Sequence, residues 1–388
     1  MTVAAYLYPW DVDGDPAAAD RIAGLGVTEV SLAAAYHAVR AVTPFHPEHR
    51  VVTRDTGVYY RPDPDRWRGA ALRPVDPGDG HAGSFERAAG ALHAAGLRVN
   101  AWVVIVHNGR LAAAHPEHAV RNAYGDPYPW ALCIGSPEVA GYAATLAAEI
   151  AALDVVDEVE LEACGWYGFD HGSAHDKTGG APPEGTSGWL LDACFCPACA
   201  SALQDAGVDA GDLTHQVRAT LDAGYQRDGL SPAGPGPAGP GAAGALAAVR
   251  AAAAESFLRR VLTAVREAAP GKHVLVHSHP DQREAGSNPG YDPGVLLGPD
   301  GADGMILPCP GPAARSAALV QRTAKETPAG RRIAATFPAV TALGADTSQL
   351  AAKAAAVLAA GATDLRLYHA GLASAADHSA MRGVAKAT

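Results

Sequence analysis

Val156-Asp157-Glu158-Val159-Glu160-Leu161-Glu162-Ala163-Cys164-Gly165-Trp166-Tyr167-Gly168-Phe169-Asp170-His171-Gly172 is the stretch on which the fold turns. At the two-residue period of a strand, Glu158, Glu160, Glu162 and Cys164 share one face and Asp157, Val159, Leu161 and Ala163 the other. An acidic edge strand facing water is one reading. The surrounding chain, however, consists of apolar strands and alanine-rich helices, so the carboxylates are expected to point into the fold. A buried carboxylate without partners costs on the order of several kcal/mol, so glutamates stacked inside a protein are either paired or kept for chemistry.

Working outward, Ser136-Pro137-Glu138 opens a helix with a cap residue, a first-position proline and a first-turn acid. Val139, Tyr142, Leu146 and Ile150 continue it along one face into the glutamate strand. Upstream, Val3–Trp10, Val27–His37 and Leu97–His107 read as strands, with helices at Ala17–Leu25 and Ser84–Ala95. Downstream, His273–Pro280, Gly304–Cys309, Arg332–Val340 and Asp364–His369 read as strands, with helices at Leu246–Ala269, Ala313–Lys325 and Ser348–Ala360. Eight strands alternating with helices imply an α/β protein, either doubly wound or closed. The count favours a closed (β/α)8 TIM barrel, and no glycine-rich phosphate fingerprint follows the first strand. The expected organisation is one barrel domain over 1–388 with two insertions. A loop at about 38–80 contains a hairpin-like run, Arg50–Pro64; a long insertion after strand four, at about 165–245, carries cysteines and a proline/glycine-rich run.

The chain of 388 residues is 48% hydrophobic and 18% charged, enough for a large core. Its formal net charge of −11 argues against nucleic acid and against an anionic membrane surface. The start has no basic segment followed by a long apolar run, and no later run reaches a membrane span, so a cytoplasmic chain is expected. Six cysteines are too few and too uneven for a disulfide framework. Cys194, Cys196 and Cys199 crowd together in the pattern Cys-x-Cys-x-x-Cys. They either hold a structural zinc, with Cys164 or Cys133 as a fourth ligand, or are buried reduced thiols.

In a barrel of this kind the C-terminal strand ends meet at one face. The ends here are Tyr8, Trp10 and Asp11; His37; His107 and Asn108; Glu160 and Glu162; His277, His279 and Asp281; Cys309; Thr336; Tyr368 and His369. So many polar and aromatic ends point to a pocket. Carboxylates among tryptophan, tyrosine and histidine suit glycoside cleavage, in which one group protonates the leaving oxygen and another attacks or activates water. Glu160 and Glu162 lie on one strand face, so repulsion should raise one pKa. They flank a bond poorly, and Asp281 is the first candidate for a partner from another strand, with Glu284 and Asp170 behind it. Tyr8, Trp10, His37, His107, Asn108, Trp166, His171, His277, His279 and His369 are the expected substrate-binding set. Two other readings compete. His277, His279 and Asp281 share a strand face and would suit a metal-dependent hydrolase or isomerase; alternatively, the chain is a catalytically inactive carbohydrate-binding barrel.

The run His115-Pro116-Glu117-His118, Asn122-Ala123-Tyr124-Gly125-Asp126, Leu132-Cys133, Ser136-Pro137-Glu138-Val139 and Val156–Glu162 resembles the middle of a group of bacterial TIM-barrel proteins classed as glycoside hydrolase-like. The closing Asp364–Leu372 stretch and the Cys194–Cys199 segment are also similar to segments of that group. The resemblance covers about sixty residues well and the rest only as architecture. It implies an alpha-amylase-type arrangement, with Glu162 at the position of the nucleophile and the acid from strand five, which favours Asp281. Glu158 stands where the group has glycine and Glu162 where it has aspartate. Strand seven offers no acid, so the other common barrel arrangement, with a strand-seven glutamate, does not fit. The expectation is a bacterial enzyme of carbohydrate metabolism, a hydrolase of O-glycosyl bonds in a small-molecule or oligosaccharide substrate. Glu162 is its nucleophile or base, and its main reaction needs no cofactor.

Overall fold

The computed structural model describes residues 1–78, 80–169, 177–178, 180, 185–225 and 240–387. Its apolar runs pair edge to edge as β1 (Val3–Leu7), β2 (Glu29–Tyr36), β3 (Arg98–Val104), β4 (Glu158–Glu162), β5 (His273–His277), β6 (Gly304–Pro308), β7 (Arg332–Pro338) and β8 (Asp364–Tyr368). Each strand runs parallel to the next, and β8 pairs with β1, which closes the ring. Parallel neighbours need a crossover, and helices follow the strands in turn at Ala18–Ala23, Ser84–Ala94, Pro137–Ala151, Pro240–Ala268, Pro293–Leu296, Ala313–Glu326, Leu350–Ala359 and Ala375–Ala387. The architecture is an α/β (β/α)8 TIM barrel. Ser136 caps its helix by accepting from Val139 N, with Pro137 at the first position, as its sequence predicts.

The two faces of β4 explain its unusual sequence. Val159 and Leu161 face outward into the main core between sheet and helices, alongside Val99, Ile150, Val274 and Val276. Glu158, Glu160 and Glu162 face the barrel interior. Barrel interiors are usually filled by branched apolar side chains. Here the apolar part of that interior is the small cluster Leu275, Ile306 and Ala334, and charged groups fill much of the rest.

The long segment after β2 differs from its expected form. Val51–Arg54 pairs backwards with Val39–Val42, and Gly57–Val58 instead extends the sheet as an antiparallel partner of the end of β2. The hairpin expected over Arg50–Pro64 does not form because the downstream tyrosines turn inward. Tyr59 and Tyr60 are fully buried, and Tyr60 Oη (2.5 Å), Asp63 N (2.6 Å) and Trp67 Nε1 (2.8 Å) all donate to Glu149 on the helix Pro137–Ala151. The polar stretch before that helix holds a second hairpin, Ala119–Arg121 with Pro127–Leu132. At its tip the Asn122 side chain accepts from Tyr124 N and Asp126 N, and Gly125 takes φ 94°. The insertion after β4 adds helices Gly185–Leu191, Pro197–Asp205 and Ala210–Tyr225 around a small core of its own. Residues 231–239 of the proline/glycine-rich run lie outside the described residues. Among the described residues no helix is long and apolar enough to cross a membrane.

Candidate active site

The three glutamates of β4 sit at three heights and have three different electrostatic environments. Deepest, Glu158 accepts from Arg332 of β7 and from Arg366 Nη2 of β8 at 3.3 Å. Burial pushes its carboxyl up to about 7, against the pull of the two arginines. Arg332 Nε also donates to Asp364 at 2.9 Å.

One step higher, Glu160 receives Arg366 Nε at 2.7 Å, Tyr6 Oη at 3.2 Å and Asn100 Nδ2 at 3.3 Å. Burial alone would raise the pKa of Glu160, but the charge and hydrogen bond of Arg366 hold it below the ordinary carboxylate range. Arg366 is 0% exposed, and its guanidinium also lies 3.8 Å from Glu29. Glu160 is thus a fully committed partner in a buried network rather than a free acid.

At the top, Glu162 opens into a cavity of about 410 Å³ at the C-terminal strand ends. Its walls are Tyr6, Tyr36, Trp102, His277, Thr336, Phe337 and Tyr368, closed by His37, Ser287, Asn288, Cys309 and the prolines 308, 310 and 338. Trp102 Nε1 donates to Glu162 Oε2 at 2.5 Å. Burial pushes the Glu162 carboxyl up to about 7; the Trp102 hydrogen bond opposes that shift and the nearby Glu160 charge adds to it. The next residue, Ala163, takes φ 50°, a left-handed conformation rare outside glycine, while its N–H donates to Ser287 O at 3.0 Å. That hydrogen bond ties the end of β4 to the segment that brings Ser287 and Asn288 to the cavity.

The rings pack as a continuous cluster. Tyr6 and Tyr36 meet Trp102 edge-on at 4.8 and 4.7 Å, and Tyr8 Oη donates to Tyr36 Oη at 3.0 Å. Burial raises the Tyr6, Tyr8 and Tyr36 pKa values well above that of a free phenol, so these groups stay protonated. Tyr6 Oη lies 3.1 Å from His277 Nε2, and burial lowers the His277 pKa to about 4, so the ring is neutral near pH 7.

Of the residues expected from the sequence, the structure brings Glu162, His37 and His277 to the cavity wall, together with the strand ends Cys309, Thr336 and Tyr368. Glu160 lies directly beneath. Tyr8 and Trp10 stack behind the wall at 4.4 Å, and His369 stacks on Tyr8 at 4.2 Å with burial lowering its pKa to about 3. His107 is sandwiched between His37 (4.2 Å) and Tyr167 (4.6 Å), and Asn108 caps the helix Gly109–Ala114 through Leu111 N. Trp166 lines a separate cavity with Trp189 and Arg250.

His279 Nδ1 accepts from Asp281 N at 3.0 Å, and the Asp281 carboxylate is clamped by Arg283 (Nη2 at 2.9 Å, Nε at 3.1 Å) away from the cavity wall. His277, His279 and Asp281 therefore do not converge. His171 and Asp170 lie outside the described residues. Among the described residues, the group whose ligand atoms do converge is Cys133, Cys194, Cys196 and Cys199, so Cys133 rather than Cys164 joins the three crowded thiols.

Sequence reasoning did not select Tyr6, Tyr36 or Trp102 as site residues. Tyr6 shares the face of Tyr8 one period earlier, Trp102 lies opposite Glu160 in the β3–β4 register, and Tyr36 ends β2 one residue before His37. Counting inward from the strand ends at period two would have found the first two.

No family model matches the chain, and no curated protein matches it. Its fold, in contrast, has many solved counterparts. The glycoside hydrolase domain of PgaB (BpsB) from Bordetella bronchiseptica superposes with a TM-score of 0.61 at 14% identity, covering 99% of this chain and 98% of that one. The shared feature is the (β/α)8 barrel fold. Alpha-L-fucosidase isoenzyme 2 from Paenibacillus thiaminolyticus matches at 14% identity and a TM-score of 0.55, and a beta-galactosidase from Marinomonas ef1 at 12% and 0.56. Each is covered over all of this chain, which spans 49% and 59% of their respective lengths.

Proposed function

We propose that the chain is a glycoside hydrolase that binds a small glycoside or oligosaccharide in the 410 Å³ cavity, with Glu162 as its proton donor. One observation carries this reading: a carboxyl pushed up to about 7 at the open end of an aromatic cavity. A general acid needs a pKa near the working pH, because it must hold its proton and also release it. That favours the acid role for Glu162 over the nucleophile role. Asp281 suits an acid poorly, since Arg283 keeps it ionised and outside the wall. Trp102, Tyr6, Tyr36 and Tyr368 offer ring faces and phenol hydroxyls to a sugar, and the likeness to glycoside hydrolase barrels supports the substrate class.

The test is a screen of aryl glycosides and oligosaccharides followed by Glu162→Gln on any substrate found. The variant should keep its fold and lose about 10²–10⁴-fold in kcat, the usual contribution of a positioned acid. Unchanged turnover would refute the assignment. Glycan binding by calorimetry without product from the unmodified protein would establish the inactive binding barrel instead. Among the described residues Glu162 is the carboxylate on this wall, and that favours the latter as the second reading.

A further inference from the structure

The insertion after β4 holds a cluster of thiols that takes no part in the cavity. Cys133 comes from the turn between the hairpin strand Pro127–Leu132 and the helix Pro137–Ala151, whereas Cys194, Cys196 and Cys199 come from the start of Pro197–Asp205. All four are buried and none is in a disulfide. Their Sγ atoms all lie within 4.8 Å of one another, with Cys133 3.4 Å from Cys199 and 3.6 Å from Cys196. A disulfide would need about 2.05 Å. A tetrahedral zinc with Zn–S bonds of about 2.3 Å places its sulfurs about 3.8 Å apart, within the observed range.

Three further features concern these sulfurs, the second steric and the other two electrostatic. Backbone N–H groups of Arg121 (3.4 Å) and Cys196 (3.5 Å) donate to Cys194 Sγ. The turn after Cys133 runs so close to the sulfurs that a Cβ on Gly135 would lie 3.1 Å from Cys199 Sγ. Most telling is Arg250, which is 4% exposed and sandwiched between Trp166 (5.0 Å) and Trp189 (5.3 Å), with Nη2 lacking a hydrogen-bond partner among the described residues. Asp192 is the first anion acting on this buried cation, and Cys194 and Cys199, when ionised, act in the same direction. Asp192 supplies one carboxylate to this cation, and a tetrathiolate zinc, with two net negative charges, would add further countercharge beside it.

We infer that Cys133, Cys194, Cys196 and Cys199 form a closed structural zinc site, with Arg250 as its buried countercharge, and that this site braces the loop leaving Glu162. The brace is visible in the bonding. Trp166 Nε1 donates to Arg250 O at 2.8 Å, Phe169 N donates to Asp192 Oδ1 at 2.7 Å, and Trp130 Nε1 donates to Gly168 O at 2.9 Å. The apolar core around the insertion has nine buried members, with Ala123 and Leu246 contributed from outside it, a scale at which small units commonly rely on a metal staple. With four protein ligands the site has no open position, so its role is structural.

Elemental analysis of the purified chain tests the inference, with thiol titration before and after zinc is removed by a chelator. One zinc per chain and four thiols freed with it are expected. A cobalt-reconstituted sample should show thiolate-to-cobalt charge transfer and a tetrahedral d–d band. Arg250→Met keeps all four ligands and should weaken zinc binding about 10–100-fold, the range for groups just outside a metal's ligands. Cys164→Ser should leave zinc content unchanged. Four free thiols with no zinc uptake, stoichiometric iron instead of zinc, or two disulfides in the fresh protein would each overturn the zinc assignment. Wild-type zinc affinity in Arg250→Met would overturn the countercharge role.

Discussion

Arg366→Met probes the buried network on which the site stands. The guanidinium is 0% exposed and holds Glu160 at 2.7 Å and Glu158 at 3.3 Å. Methionine fills much of the same volume but leaves Glu160 facing Tyr6 and Asn100 with no cation beside it. Breaking a buried pair from one side costs about 3–5 kcal/mol, because the remaining charge is uncompensated. With an unfolding entropy of about 2.1 cal/mol/K per residue, a chain of this length loses stability at about 0.8 kcal/mol per degree, so Tm should fall by about 4–6 °C near pH 7.

The pH dependence has a definite sign. In the wild type the Glu160 pKa lies below its unfolded value, so its contribution is present above the unfolded pKa and is lost as pH falls through the folded one. Without Arg366 the dominant remaining influence is burial, which raises the pKa and makes the ionised form destabilising above about pH 4–5. The Tm gap between the two proteins should therefore be widest at neutral pH and narrow toward pH 4.5. Thermal unfolding followed by circular dichroism from pH 4.5 to 8 measures it, and Arg366→Met with Glu160→Gln should recover much of the loss. A gap that stays constant with pH, or a double variant no more stable than the single one, would refute the argument.

Other outcomes follow from the same geometry. Because Glu162 is pushed up to about 7, turnover by the proposed acid should decline as pH rises through that value, which a pH profile of kcat/KM would record. Trp102→Phe removes the N–H that favours the charged Glu162 and should move this alkaline limb to higher pH; an unmoved or lowered limb would contradict the reading. Glu149→Ala strands three donors, from Tyr60, Asp63 and Trp67, and should cost about 2–4 kcal/mol while exposing the segment after β2 to limited proteolysis. Proteolysis at wild-type rates would show that the segment is held by other contacts.

How much of this was legible depends on the range of the interactions. The eight strands, their order and the inward face of β4 follow from periodicities of two and 3.6 residues, which are local properties of the chain. Glu162 could be singled out because it ends the strand whose acidic face had nowhere polar to go in an apolar fold. The pairing of Val51–Arg54 with Val39–Val42 was not legible, since the choice of partner was decided by where Tyr60 and Trp67 found Glu149, far along the chain.

The sequence by itself determined that the barrel would hold a stack of three glutamates and that three cysteines would meet near the insertion. Only the tertiary structure decided which glutamate remains available. Arg366 and Arg332 arrive from β8 and β7 to bind Glu158 and Glu160, whereas Glu162, among the described residues, accepts its hydrogen bond from the Trp102 N–H and has no arginine beside it. It likewise decided that Cys133 joins the cysteines and that Arg283 draws Asp281 off the cavity wall. The physical reason is the same in each case: desolvation and countercharge act through space, between groups that no spacing along the chain relates.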